Sequence, residues 1–270
     1  MDILQQIIAE KRMQVIAARE AISEQQLRDQ AIEMRRSSKP HALLASLSKG
    51  DTINIIAEFK RRSPSKGMIR ANADLGTIVS GYEKAGAAAI SVLTEERNFQ
   101  GSLADLRLAR AMVSIPVLRK DFIFAEYQVY ESAAAGADAL LLIVAALDDE
   151  TLGLLLRLTE AELGMDALVE VHTKVELERA VAKGAKLIGV NNRDLRSFKV
   201  SVQTSVELAE FAPHDATLIS ESGLTPDSVR MLKPFGYRGF LVGESLMRAA
   251  DPEKELRILK GNGLAPDVQV

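Results

Sequence analysis

Short, nearly continuous apolar runs alternate with amphipathic stretches along most of this chain. The runs are TINIIAEFK (52–60), AAAISVL (87–93), SIPVLRK (114–120), ADALLLIV (137–144), DALVEVH (166–172), AKLIGV (185–190), ATLISES (216–222) and YRGFLVG (237–243). Each is too short for a helix and apolar on both faces, the pattern of strands covered on both sides. Gly86, Gly136, Gly184 and Gly236 fall about fifty residues apart, and each closes a helical stretch and opens a strand. A further helix-to-strand transition lies inside each interval, so the repeating unit is about 25 residues. Eight strand-plus-helix units predict an α/β fold, the (β/α)8 TIM barrel. A doubly wound open sheet is the competing architecture, but no GxGxxG opens the first helix and the polar residues cluster at many strand ends.

The first fifty residues lie outside this repeat. Ile3, Leu4, Ile7, Ile8 and the segment from Ala17 to Ile22 predict an amphipathic helix, and a second short helix is expected after Pro40, with Leu43, Leu44 and Leu47 on one side. Residues 1–50 are therefore read as an N-terminal helical extension of one barrel domain spanning 1–270. It either packs against the barrel or covers its mouth.

Composition narrows the function. A chain of 270 residues, 47% apolar, can bury a large core. Its net charge of −3 offers no electrostatic case for nucleic acid. The absence of cysteine removes disulfides and thiolate chemistry and fits a reducing cytoplasm. His41, His172 and His214 have no metal-ligand spacing, so no metal is expected. The N-terminus carries Asp2, Glu10, Lys11 and Arg12 where a signal peptide needs apolar residues, and the run ALLLIVAAL (139–147) is too short to span a membrane. A cytoplasmic location is expected.

A barrel of this kind gathers its chemistry at the C-terminal ends of its strands. The first run ends in Glu58 and Lys60, which share a face because they are two residues apart. The third ends in Lys120, the fifth in Glu170, the sixth in Asn191 and Asn192, the seventh in Glu221 and Ser222 before Gly223, and the eighth at Gly243. Singly, each has an ordinary structural reading, a solvated lysine or an Asn-Asn turn. Together, Glu58, Lys60, Lys120 and Glu170 put two acids and two bases in one mouth, the mixture that moves protons on and off carbonyl oxygen and carbon. The small residues of ESGL and VGES let backbone N–H groups approach an anion after the last two strands, where this fold recurrently binds phosphate. Gly223 and Gly243 keep that approach open. Ser63 and the basic residues around it suit the same anion, and Arg193 adds charge.

With these residues in place, the chain resembles the indole-3-glycerol phosphate synthase family. IAEFKRRSPSKG, LRKDFI, LVEVH, IGVNNRDL, ISESGL and FLVGESLM match the family's motifs in order and separation, across essentially the whole chain. The helical extension is also a family trait. The resemblance implies a carbon-carbon lyase of tryptophan biosynthesis. Its substrate, 1-(2-carboxyphenylamino)-1-deoxyribulose 5-phosphate, closes its ring and loses carbon dioxide and then water, with no cofactor or metal. By the same resemblance Lys120 is the general acid on the substrate carbonyl, and Glu170 serves the proton transfers of dehydration. Lys60 binds the carboxylate or donates a proton, Glu58 holds the lysines and steadies developing positive charge, and Asn191 and Ser222 orient substrate. Ser63, Gly223, Gly243 and Glu244 match phosphate-binding positions. Glu244, where some relatives carry serine, must turn its carboxylate away from the anion. The implied partners are a phosphorylated small molecule and other enzymes of the pathway, with neither nucleic acid nor membrane. Two rivals remain. Another phosphosugar barrel, such as phosphoribosylanthranilate isomerase, leaves Lys60, Lys120 and Glu170 jointly unexplained. A non-catalytic phosphate-binding barrel has no use for the acid-base set.

Overall fold

The computed structural model describes residues 3–48, 52–194 and 197–261. The expected runs form eight parallel strands: β1 (Asn54–Phe59), β2 (Ala89–Leu93), β3 (Val117–Lys120), β4 (Ala139–Ile143), β5 (Asp166–Val171), β6 (Leu187–Asn191), β7 (Thr217–Glu221) and β8 (Tyr237–Val242). They pair in chain order, and β8 returns to β1 with Asn54 opposite Gly239 and Ala57 opposite Val242, closing the barrel. Closure leaves the barrel sheet itself without an edge strand. Gly86, Gly136, Gly184 and Gly236 have φ of 86°, 85°, 85° and 90°, the left-handed turn that only glycine adopts freely.

Strand alternation builds two cores. Inward positions repeat every second residue, so Ile56, Leu118, Leu168 and Ile219 meet inside the barrel with Ala139, Leu187 and Leu241. Two residues further along the first four of those strands stand Glu58, Lys120, Glu170 and Glu221, all lining one cavity. The outward set, including Val92, Val117, Val169 and Val190, packs beneath the surrounding helices. Those helices are numbered after the three of the N-terminal extension: α1 (Ile3–Ala21), α2 (Glu24–Arg36), α3 (Ala42–Leu47), α4 (Leu75–Lys84), α5 (Leu103–Met112), α6 (Glu126–Ala134), α7 (Asp149–Arg157), α8 (Lys174–Ala182), α9 (Gln203–Ala209), α10 (Pro226–Leu232), α11 (Glu244–Arg248) and α12 (Pro252–Leu259).

The extension has three helices where two are expected. Ser23 breaks the first, because it makes a capping box with Gln26 that starts α2. Tyr127 secures the end of α1 by donating to the carbonyls of Ala18 and Ile22. The buried face of α1 is Leu4, Ile7, Lys11 and Val15, whereas Ala17 and Ile22 are exposed. The two proposed roles of the extension fall to different helices. The start of α1 reaches the mouth of the barrel through Ile3, Leu4 and Ile7. The second helix packs on α6. Helix α3 plugs the opposite end, with Leu43 and Leu47 in the inner core and the N–H groups of Leu43 and Leu44 held by Asp166 at 2.8 and 3.1 Å. The outermost residues of the 1–50 extension and the tail from 262 lie outside the described residues.

Candidate active site

The mouth is a cavity of about 460 Å³ whose lining combines apolar residues, among them Ile3, Leu4, Ile7, Phe99 and Phe122, with charged ones. The expected acid-base set is there, with one more member. Lys60 reaches Glu58 at 2.5 Å. Lys120 lies between two carboxylates, 2.9 Å from Glu170 and 2.6 Å from Glu221. Three acids and two lysines therefore converge, instead of two and two. The strand parity that pairs Glu58 with Lys60 also places Glu221 inward, two residues after Ile219, so the sequence carried the signal. Ser222 lies past the strand, in the left-handed region at φ 70°.

Burial and charge give these groups unequal proton affinities. At Lys120 burial lowers the pKa, but Glu170, Glu221 and Glu58 outweigh it and hold the ammonium above its ordinary value. Burial raises Glu170, yet Lys120 and His172, with hydrogen bonds from Lys120 and Asn191, bring it down to about 2. Glu221 is as deeply buried and faces two other acids, and it is pushed up to about 7, with burial the largest cause. The mouth thus holds a charged acid, Lys120, a charged base, Glu170, and a carboxyl poised near neutrality. Divergent proton affinities among neighbours are how one site assigns acid and base roles.

The two asparagines part company. Asn191 faces the cavity and accepts from the Arg193 N–H at 3.0 Å. Asn192 points outward into a buried cluster, donating to Ser220 Oγ at 3.1 Å and accepting from Ser205 Oγ at 2.8 Å. Its role is to tie β6 to β7.

Ser63 in the loop after β1, Arg193 after β6, Gly223 after β7, and Gly243 and Glu244 after β8 also line the cavity. The glycines have a reason in the packing itself. Gly223 sits at φ 68°, and a Cβ there would lie 2.2 Å from Val200. A Cβ on Gly243 would lie 2.3 Å from Glu58 Oε1. The Glu244 carboxylate turns to Arg248 at 3.3 Å and Lys66 at 3.8 Å. Nearby cations are partly engaged. Arg61 makes a bidentate pair with Asp105 at 2.7 and 2.8 Å, and Arg62 and Arg193 donate to the carbonyls of Arg97 and Phe198.

Behind β3 is a second, largely buried charge group. Arg119 pairs with Asp121 at 2.9 Å and Glu131 at 2.8 Å, and Lys11 of α1 reaches Asp121 at 2.8 Å. Alternation sends Lys120 into the mouth and Arg119 to the opposite face, so β3 is gripped from behind. Sequence gave no pointer to this group, because Lys11 and Asp121 are 110 positions apart.

The family model of indole-3-glycerol phosphate synthase matches residues 4–259. A relative of that name from Bacteroides thetaiotaomicron is 46% identical over 257 residues, covering 95% of this chain and 96% of its own. One from Desulfosudis oleivorans is 47% identical, covering 96% and 98%. A solved 3-hexulose-6-phosphate synthase from Salmonella typhimurium superposes with a TM-score of 0.63 over 78% of this chain and 98% of its own. At 13% identity that likeness shows the barrel fold alone.

Proposed function

The chain belongs to the indole-3-glycerol phosphate synthase family, and from that premise we propose how its mouth converts 1-(2-carboxyphenylamino)-1-deoxyribulose 5-phosphate to indole-3-glycerol phosphate. The observation that carries the proposal is Lys120, a buried ammonium held by Glu170 and Glu221 at the head of the cavity. A lysine kept protonated is a general acid in its working state. It donates to the substrate carbonyl oxygen as the aromatic ring attacks, and the two carboxylates aim it. Loss of carbon dioxide then restores the aromatic ring. Glu170, the charged base, takes the proton released in dehydration, and Lys60, steadied by Glu58, protonates the departing hydroxyl or holds the substrate carboxylate. Asn191 and Ser222 orient substrate polar groups. The apolar lining of Ile3, Leu4, Ile7, Phe99 and Phe122 receives the aromatic ring. Backbone N–H groups around Gly223, Gly243 and Glu244, with Ser63 and Arg193, receive the phosphate. The isomerase reading employs one carboxylate and one acid and leaves this five-group cluster in surplus. The same proposal places the reaction, and any contact with other enzymes of the pathway, in the cytoplasm, which suits a cysteine-free chain.

Product formation can be watched directly, because the chain has no tryptophan and four tyrosines and new indole fluorescence has little background. Lys120→Met should leave the Kd of a reduced substrate analogue within a few-fold and lower kcat by about 10²–10⁴, the usual contribution of a general acid. Retention of more than about a tenth of kcat removes Lys120 from that role.

A further inference from the structure

At the end of β5, one residue beyond the strand, His172 is packed against the back of Glu170. Its side chain is 11% exposed, and its Nε2 lies 3.4 Å from Glu170 Oε1, the carboxylate oxygen turned away from Lys120. That nitrogen has no hydrogen-bond partner of its own. The other ring nitrogen, Nδ1, lies 3.2 Å from Glu176 Oε2 on α8, and the same carboxylate oxygen accepts the His172 backbone N–H at 2.7 Å. Glu176 therefore fixes both the main chain and the ring, and the ring is left facing Glu170. A carboxylate that fixes an imidazole directs its free nitrogen at the group beyond.

We propose that His172 is a positioning residue for the reaction: oriented by Glu176, its imidazolium holds Glu170 ionised and in line with Lys120. The proposal rests on the reading of Glu170 as the base. The charged groups facing the ring are Glu170 on β5, Glu176 on α8 and, further off, Glu221 on β7. All three are acids. Burial disfavours the imidazolium, but these acids outweigh it and raise the ring's pKa, while His172 in turn helps lower that of Glu170. The effect is reciprocal by linkage, so whatever the ring does to the carboxylate the carboxylate must do to the ring.

That reciprocity supplies a test independent of turnover. The chain has three histidines, so their ring signals can be followed one by one in an NMR pH titration. Glu170→Gln should lower the His172 pKa by at least about one unit, the interaction that unit charges 3.4 Å apart keep even when screened as in water. Glu176→Gln, which leaves the ring in place, should also lower it. In the kinetic arm, His172→Gln should lower kcat about tenfold or more, change KM by less than about threefold, and move the lower acidic step of kcat/KM, the one that belongs to Glu170 and not to Glu221 near 7, upward by about one pH unit, because the base loses its cation. Glu176→Gln should shift the same step in the same direction by less, and it serves as the kinetic probe if His172→Gln does not fold. An unchanged His172 pKa in Glu170→Gln overturns the proposal through its geometry. An altered ring pKa with an unmoved lower acidic step overturns it through the reading beneath, since Glu170 is then not the base.

Discussion

Gly189 offers a way to disturb the proposed acid of this site without touching any charged residue. It lies in the middle of β6 and faces the barrel interior, where a Cβ would stand 2.2 Å from Glu221 Oε1 and 3.1 Å from Leu168 Cδ1. Ordinary contact begins at about 3.4 Å, so in Gly189→Ala the Glu221 carboxylate must retreat by about 1 Å. Its φ is not positive, and the obstructing atom is the end of a flexible side chain, so the fold should hold. The retreat changes how Glu221 is set against Lys120, whose Nζ now lies 2.6 Å from the other carboxylate oxygen, Oε2. A misplacement of about 1 Å in a positioned group lowers rate by about 10²-fold, equivalent to about 2.7 kcal/mol at 1.36 kcal/mol per tenfold. Stopped-flow indole fluorescence should therefore show kcat reduced about a hundredfold with KM within a few-fold of wild type. The companion measurement is Gly189→Ala in a Glu221→Gln background, where the combined loss should fall well short of the product of the two separate losses because both act through one group. A Gly189→Ala enzyme with more than about half of wild-type kcat, or fully additive losses, refutes the assignment of Glu221 as the group that aims Lys120.

Other consequences are open to simpler measurements. A carboxyl with a folded pKa above its unfolded value favours the folded state in acid and loses that advantage as pH rises; for Glu221 the window runs from 4.5 to about 7. Glu221→Gln should thus flatten the decline in unfolding free energy across that window, and equal slopes in urea titrations of mutant and wild type between about pH 5 and about pH 7.5 would contradict the buried, raised carboxyl. Lys11→Met removes one of two cations from Asp121, and should lower stability by about 1–3 kcal/mol and speed proteolysis within α1; unaltered cleavage kinetics would show that the pair does not anchor the helix. Gly223→Ala should destabilise by about 1–2 kcal/mol from its left-handed φ alone, with an added clash that Val200→Ala relieves; full rescue by Val200→Ala in thermal unfolding would mean that the φ carries no strain.

How much of this could be read beforehand depended on the range of the interaction. Barrel strands were legible because each rests on a local pattern: Ile56 and Glu58, or Leu168 and Glu170, need only two-residue alternation to share a face. The four helix-closing glycines were legible because a left-handed turn is a one-residue demand. Glu221 was within reach of the same alternation. Its neighbours Ser222 and Gly223 lie past the strand, where two-residue parity no longer applies. The reasons for Gly223 and Gly243 were not local, since each yields space to a side chain, Val200 or Glu58, that only the fold brings near. The Lys11–Asp121 contact marks the same limit, since it spans most of the first half of the chain. The Glu176–His172–Glu170 contacts lie within seven residues, but they depend on the angle at which α8 leaves β5. Helix α2 escaped notice because Ser23 divides a stretch whose apolar positions continue past it.

The seam between β1 and β8 sets a schedule on the chain as it is made. Asn54 is among the first barrel residues to leave the ribosome, yet its amide is satisfied by the carbonyls of Leu47 and Arg238, and its strand partner Gly239 is synthesised about 185 positions later. At a typical rate of about 5–20 residues per second, that interval is on the order of ten seconds or more. Throughout it β1 has one open edge, Glu58 lacks the neighbouring wall at Gly243, and Leu47 has no Gly239 to pack against. A nascent chain that has reached β7 already contains all three acids and both lysines of the mouth in its sequence, but not the ring that presses them together. Their shared proton chemistry begins only when the eighth strand arrives.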